Sequence, residues 1–445
     1  MKELAGDSAL ILGYGREGKS VHRYLRGNYP DKKIGVADRE IVEPAIEGEV
    51  ELHLGQKYLE RLLDYDIIIR SPGIPLSTPA IQKAVESGRQ VTTGTNIFFS
   101  ECPGMVVGIT GTKGKSTTSS LIYEILKTTY PDVRLVGNIG EPALDHLPGA
   151  NDKTVFVAEL SSHQLEDAHY SPHIAVVLAV VPEHLSYHGS FAAYAKAKGN
   201  ITKFQSAEDA VVFNPANPIT DNIAENSPGQ KFKFSIDNSD TNCYTRDKQV
   251  FVDDELVMSI NEIPLLGPGN LENVLAAVSV GRILGVGIER IREAIMEFKP
   301  LPHRLEYAGE KNGIIFYNDS LATIPEATIN ALEALGANVE TLIAGGYDRG
   351  LDFSELGKYL AQRGSLKNLI LFPTTGEKIW TAVQAIQSDI QIQKFDVDSM
   401  EKAVEIALAN TSFGKICLLS PAAASFGIFR DYADRGNSFK KLITG

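Results

Sequence analysis

The residues with the plainest chemistry are Gly111-Thr112-Lys113-Gly114-Lys115-Ser116-Thr117, which follow the apolar run "MVVGIT". Glycines between a strand and a helix let several backbone N–H groups, and the positive end of the helix, converge on one anion. A lysine and a serine at the helix start supply a cation for the β/γ-phosphate oxygens and a hydroxyl for Mg²⁺. The full phosphate-loop pattern has a glycine five positions before Gly114, where this chain has Ile109, so the motif is a shortened G-x-x-G-K-S. The shortening leaves the chemistry intact, because backbone amides, Lys115 and Ser116 carry it.

A second glycine turn, Gly13-Tyr14-Gly15-Arg16-Glu17-Gly18, follows "SALIL", and Asp38 closes the next apolar run. Such a turn lets a pyrophosphate approach the backbone while the acid binds a ribose hydroxyl. A ligand-free strand-to-helix turn would have the same spacing, and so would a nucleotide-diphosphate site without a nicotinamide. Glu159 ends the run "TVFVAE", the end of a strand where open α/β sheets carry their sites, and is a candidate Mg²⁺ ligand or a solvated acid. His184 and Lys198 lie fourteen residues apart in "EHLSYHGSFAAYAKAK", and spacing alone gives neither a role.

The elements that must hold these residues alternate. "SALILGYG", "KIGVADR" and "DIIIRSPG" read as strands, "GKSVHRYLRG" and "TPAIQKAVESG" as helices, and "FSECPG" as a connector. The cycle restarts with "MVVGITG", "TVFVAEL", "IAVVLAVV" and "DAVVFN". Between 230 and 265, "KFKFSI", "QVFVDDELVMSI" and "NEIPLLG" read as short antiparallel strands, followed by the helix "NLENVLAAVSVGRIL" and the connector "FKPLPHR". The final segment alternates again through "GIIFYND", "ETLIAGG", "NLILF" and "KICLLSP". The expected fold is α/β in three domains, with boundaries near 103 and 300. They are a Rossmann-like domain over 1–103, a P-loop ATPase-like domain over 104–299 with a parallel sheet plus a small antiparallel sheet, and a Rossmann-like domain over 300–445.

The chain has 445 residues, 43% hydrophobic and 22% charged, so it is long enough for several cores and shows no bias toward disorder. A net charge of −13 argues against nucleic acid or anionic membranes as partners. No apolar run nears the roughly 20 residues of a membrane span, and the N-terminus lacks a signal-peptide pattern. The three cysteines, Cys102, Cys243 and Cys417, lack metal-ligand spacing, and reduced cytoplasm is the expected compartment. The expected protein is a monomer acting on small molecules.

Taken together, "GYGREG", "SPGIP", "GTKGKST", "GNIGEPALD", "AELSSHQLE", "EHLSYHGSFAAYAKAK", "GPGNLENVLAA", "LPHRLE", "NDSLAT", "GGYDRG" and "LLSPAAASFGIF" resemble the Mur ligase family, in family order across nearly the whole chain. The resemblance implies an ATP- and Mg²⁺-dependent amide ligase of peptidoglycan synthesis acting on UDP-N-acetylmuramoyl-L-alanine and glutamate through an acyl phosphate. It implies that Lys115, His184 and Lys198 are catalytic and that Ser116, Glu159, His184 and Lys198 serve the metal, Lys198 as its carbamate. A lysine kept neutral by its surroundings can add CO₂. By the same resemblance, 111–117 with Asn270, Asn273, Arg304 and Asp319 bind ATP. Gly15, Arg16, Glu17, Asp38, Ser71, Gly73 and Asn138 bind the UDP substrate, and Thr323, Arg349, Ser425 and Tyr432 bind the amino acid.

The chain departs from the family pattern at three points. Leu321 replaces a lysine common in "DSKAT", which removes a cation near the incoming glutamate and leaves Arg349 as the group for its carboxylate. Ser186 stands where an acid is common, and His163 where phenylalanine is common, so that His163 is expected to repack a core. Addition of L-glutamate, a folylpolyglutamate-type ligase, a nucleotide sensor and an NAD-linked oxidoreductase are the alternatives. The hundred residues before Gly111 disfavour the second, since its phosphate loop lies near the N-terminus.

Overall fold

The computed structural model describes residues 3–40, 48–386 and 391–444, and of Ser186, singled out above, only the backbone. Three sheets follow one another along the chain. The first holds β1 (Ser8–Leu12), β2 (Lys33–Asp38), β3 (Glu51–Leu54), β4 (Ile67–Arg70) and β5 (Gln90–Thr93), all parallel, in the order β3-β2-β1-β4-β5. Every residue of β1 and β4 is buried, as expected for strands covered on both faces by crossover helices. The direction of crossover reverses between β1 and β4, and the glycine turn 13–18 and the loop 71–74 leave the sheet at that point.

The second sheet contains β6 (Met105–Thr110), β7 (Val133–Gly137), β8 (Val155–Glu159), β9 (Ile174–Val177), β10 (Ala210–Phe213), β11 (Gln230–Ser235), β12 (Cys243–Arg246), β13 (Gln249–Val252) and β14 (Glu255–Ser259), ordered β14-β13-β12-β11-β10-β9-β6-β8-β7. Only β12, β13 and β14 pair antiparallel. The stretch "KFKFS" of β11, expected to be antiparallel, instead runs parallel to β10, because the helix Pro218–Glu225 returns the chain to the same end of the sheet. The two hairpins turn on Asp247-Lys248 and Asp253-Asp254, all four at positive φ, the backbone of two-residue turns that match strand twist.

The third sheet holds β15 (Glu306–Lys311), β16 (Ile314–Asn318), β17 (Val339–Gly345), β18 (Asn368–Phe372), β19 (Gln393–Asp396) and β20 (Ile416–Leu419), ordered β15-β16-β20-β17-β18-β19. Its β15–β16 hairpin was not expected from the alternation of strands and helices. Its sequence signal is Asn312-Gly313, with φ of 55° and 73°. By packing, the first two sheets form one compact unit, residues up to 263 with 269–298, and the third sheet forms another, 264–268 with 299 onward.

Candidate functional site

In the first unit, β6 delivers the chain to the phosphate loop and the helix Lys115–Lys127 receives it. Both loop glycines are required by geometry. Gly111 and Gly114 have φ of 152° and 85°, and a Cβ on Gly114 would lie 2.2 Å from Asn273 Oδ1. Thr118 Oγ1 donates to that same oxygen and Asn273 Nδ2 donates to Asn270 Oδ1, so both expected asparagines brace the loop from the helix Pro268–Ile283. Thr112 is tied to Val181 and Tyr194 through its hydroxyl. Lys113 and Ser116 are partly exposed, whereas Thr117 is buried with its hydroxyl unpartnered.

Around the loop stand the other expected chemical groups. Lys115 Nζ donates to the Gly111 and Thr112 carbonyls, at 3.0 and 3.1 Å. Lys198, on the helix Phe191–Gly199, is 1% exposed and donates to the same Gly111 carbonyl at 2.7 Å, with its Nζ over the Tyr194 ring. Burial, reinforced by the Lys115 charge, pushes the Lys198 pKa down to about 6, against the pull of Glu183 and Glu159. It is therefore largely a neutral amine at neutral pH.

Glu159 lies at the end of β8, in register with Ile109 of β6 and Gly137 of β7. Its Oε1 accepts from Asn138 Nδ2 at 2.7 Å, while Oε2 is buried with no hydrogen-bond partner. An orphaned carboxylate oxygen beside a phosphate loop suits a divalent cation. Asn138, expected at the UDP substrate, holds Glu159 in place. Among the described residues, no three His, Cys, Asp or Glu side chains are arranged to ligate a metal by themselves.

His184 caps the helix Leu185–His188 in the left-handed region, φ 54°, and half of its ring is exposed. The structure adds neighbours that the sequence did not reveal. His163 packs its ring 4.9 Å from His184, 4.1 Å from Tyr187 and 5.4 Å from His188. Burial and the surrounding cations push the His163 pKa down to about 4. The expectation that His163 repacks a core is thus corrected: it is only partly buried and lies against His184. The tight spacing "HLSYH" was the one available signal for this cluster.

At the glycine turn of the first sheet, Gly15 and Gly73 have open space where a Cβ would stand. Ser71 Oγ donates to the Gly13 carbonyl, and Asp38 accepts the Tyr14 N–H at 2.6 Å and the Glu40 N–H at 2.9 Å. Asp38 therefore orders the turn with its own carboxylate. Arg16 reaches the Gly137 and Gly140 carbonyls, which brings this turn to the loop that carries Asn138. Glu17 receives a hydrogen bond from Gln164 Nε2, and burial raises its pKa.

In the second unit, the loops after β16, β17 and β20 leave neighbouring parallel strands at the same end of the sheet. They carry Asp319 and Thr323, Arg349, and Ser425, respectively. Asp319 is 7% exposed, accepting from Ser420 Oγ and Leu305 N. Burial pushes its pKa up to about 7 despite those bonds and the charge of Arg304. Arg304 is partly exposed, with Nε buried and unpartnered. Arg349 lies over the Phe426 ring, Tyr432 faces His303, and Ser425 is buried. Leu321 is held by its backbone to His303 O. The fully buried Arg435 donates to Ser320 and to the Ala423 carbonyl, and so fixes two of these loops to each other.

Comparison with known proteins matches three domain families in succession: the Mur ligase MurD-like N-terminal domain at 7–93, the Mur ligase middle domain at 109–281 and the Mur ligase glutamate ligase domain at 303–423. UDP-N-acetylmuramoylalanine–D-glutamate ligase of Geobacillus kaustophilus is 37% identical over 444 residues, covering 98% of this chain and 96% of its own. The enzyme of the same name from Acetivibrio thermocellus is 38% identical, over 89% of this chain and 86% of its own. Among solved structures, MurF ligase from Thermotoga maritima in complex with ADP superposes with a TM-score of 0.61 at 19% identity, covering 99% of this chain and 95% of that one. UDP-N-acetylmuramate–alanine ligase of the same organism gives 0.61 at 16%, covering 98% of each.

Proposed function

The chain belongs to the Mur ligase family, and from that premise we propose that it joins D-glutamate to UDP-N-acetylmuramoyl-L-alanine with cleavage of ATP to ADP and phosphate, in the cytoplasmic assembly of peptidoglycan precursors. The observation that carries the reading is the phosphate loop with Lys115 above it and both the orphaned Glu159 oxygen and the desolvated Lys198 amine beside it. A non-catalytic nucleotide sensor has no need of a neutral buried lysine at that point.

The substrate carboxylate takes the γ-phosphoryl group, and the resulting acyl phosphate is attacked by the glutamate amine, releasing phosphate as the amide forms. Residues 111–117 cradle the triphosphate with backbone N–H groups, and Lys115 leaves its carbonyl partners to meet the β/γ oxygens. Asn270 and Asn273 hold that loop in shape. Ser116, Glu159, His184 and carbamylated Lys198 are the residues that would hold Mg²⁺, which when bound neutralises charge on the phosphate oxygens. The Glu159 oxygen without a partner fits that use.

Residues 1–103 take the UDP substrate, through the open backbone at Gly15 and Gly73, with Arg16, Glu17, Asp38 and Ser71 shaping the site and Asn138 joining it from 104–299. Residues 104–299 take ATP, and 300–445 take the amino acid, through Thr323, Arg349, Ser425 and Tyr432. The test is phosphate release from MgATP with UDP-N-acetylmuramoyl-L-alanine and D-glutamate, L-glutamate or neither, with product masses. Release with D-glutamate alone is expected. Release with L-glutamate alone would shift attention to Leu321 and Arg349, and silence in every arm would refute the substrate assignment.

A further inference from the structure

Arg70, the last residue of β4, and the loop after it, which carries Ser71 and Gly73, are bound to the segments that carry His163 and His184. Arg70, whose side chain is fully buried, ion-pairs with Glu166 at 3.3 Å and Asp167 at 2.8 Å. Glu166 Oε2 also accepts the Leu76 N–H, at 3.3 Å. The Tyr187 hydroxyl stands between, 2.9 Å from the Pro72 carbonyl, 3.0 Å from Glu166 Oε2 and 3.3 Å from Arg70 Nη1. A phenol has one proton, so it donates to one of the two oxygens at a time while accepting from Arg70. Its ring meanwhile lies edge-on to His163, which lies edge-on to His184.

Tyr187 thus has its hydroxyl in one proposed substrate-binding loop and its ring in the packing that sets the His184 imidazole. That packing matters because His184 is half exposed and sits at an unfavourable backbone conformation, with Glu183 Oε2 3.8 Å from its ring. We propose that Tyr187 is a positioning residue that couples the 71–76 loop to His184, so that binding of the sugar nucleotide in that loop sets the orientation of the histidine at the reacting centre. The coupling of activity rests on the ligase reading above, whereas the placement of His184 by Tyr187 does not.

The perturbation is Tyr187→Phe, which keeps the ring against His163 and deletes the hydroxyl contacts. Ring-labelled histidine NMR on the full chain, with His184 assigned through His184→Gln, reads the placement without substrates. The His184 and His163 ring signals are expected to shift in Tyr187→Phe. With wild type, titration of UDP-N-acetylmuramoyl-L-alanine is expected to move the His184 signal, and in Tyr187→Phe that response falls at least threefold. In turnover, kcat and affinity for the sugar nucleotide should both fall several-fold while KM for ATP holds. A purely structural role would lower the melting temperature and the active fraction with every KM unchanged.

Glu166→Gln retains an acceptor at the same place but removes the charge facing Arg70. Its effect should be non-additive with Tyr187→Phe, and it stands in if that variant fails to fold. An unshifted His184 signal in the folded variant overturns the inference even if the ligase assay succeeds. A shifted His184 signal with a silent wild-type enzyme would uphold the placement and remove the ligase reading instead.

Discussion

Lys198 offers the sharpest quantitative test. Its pKa is about 6 in the folded protein against 10.5 for an ordinary lysine, a gap equivalent to about 6 kcal/mol at roughly 1.4 kcal/mol per unit. The folded state sheds the proton above about pH 6, while the unfolded chain keeps it to 10.5. Between those limits the unfolded state holds one more proton, so stability rises with pH by about 1.4 kcal/mol per unit. Below pH 6 the full charge-burial penalty is present, and above 10.5 it is gone. Lys198→Met keeps the buried stem and removes the titration. The wild-type opening free energy, read by amide hydrogen exchange in β6, should therefore gain about 3 kcal/mol relative to the variant from pH 6.5 to 8.5. Equal slopes in the two proteins would refute the neutral-amine argument. The same neutrality predicts a carbamate signal on adding ¹³C-labelled CO₂ at pH 7.5, absent in Lys198→Met.

Three further perturbations follow from the geometry. Lys115→Ala should lower phosphoryl transfer by about 10² to 10³-fold with sugar-nucleotide binding intact by calorimetry, and equal loss of both would break the proposed division of labour between 1–103 and 104–299. Gly114→Ala adds a Cβ that collides with Asn273 Oδ1 at a positive φ, for a cost of roughly 1–3 kcal/mol, and should lower both melting temperature and ATP affinity; an unchanged ATP affinity would count against the loop's role. Asp319, with its pKa raised from 3.8 to about 7, binds its proton more tightly folded than unfolded, so stability of the second unit should fall as pH rises between those values. Asp319→Asn should flatten that slope, and the single tryptophan, Trp380, reports it by fluorescence during denaturation.

Much of the architecture is legible along the chain, because parallel strands buried on both faces appear as apolar runs and their helices as amphipathic intervals. The β15–β16 hairpin was missed because β15, "EYAGEK", has too little apolar character to read as a strand, though Asn312-Gly313 marks its turn. The direction of β11 was missed because apolar alternation does not encode which way a strand runs; the crossover helix decides that. The phosphate loop and the glycine turn are likewise local, since positive φ at Gly13, Gly111 and Gly114 and the close approach of Gly18 to the Gly13 carbonyl demand glycine at fixed offsets.

What the sequence determined by itself is therefore the succession of α/β segments, the loops that can hold phosphate, and the side chains that stand at strand ends. Short-range sterics and periodicity govern those features. Only the tertiary structure decided that Lys198 is neutral, that one oxygen of Glu159 has no partner, that Asp38 and Asn138 brace other groups, and that Tyr187 joins a loop at residue 72 to a histidine at 184. Desolvation and pairing depend on which distant segments meet. Lys198 becomes a weak base because β6, the phosphate loop and the helix Phe191–Gly199 close around it, and no spacing within "YAKAKGN" carries that information.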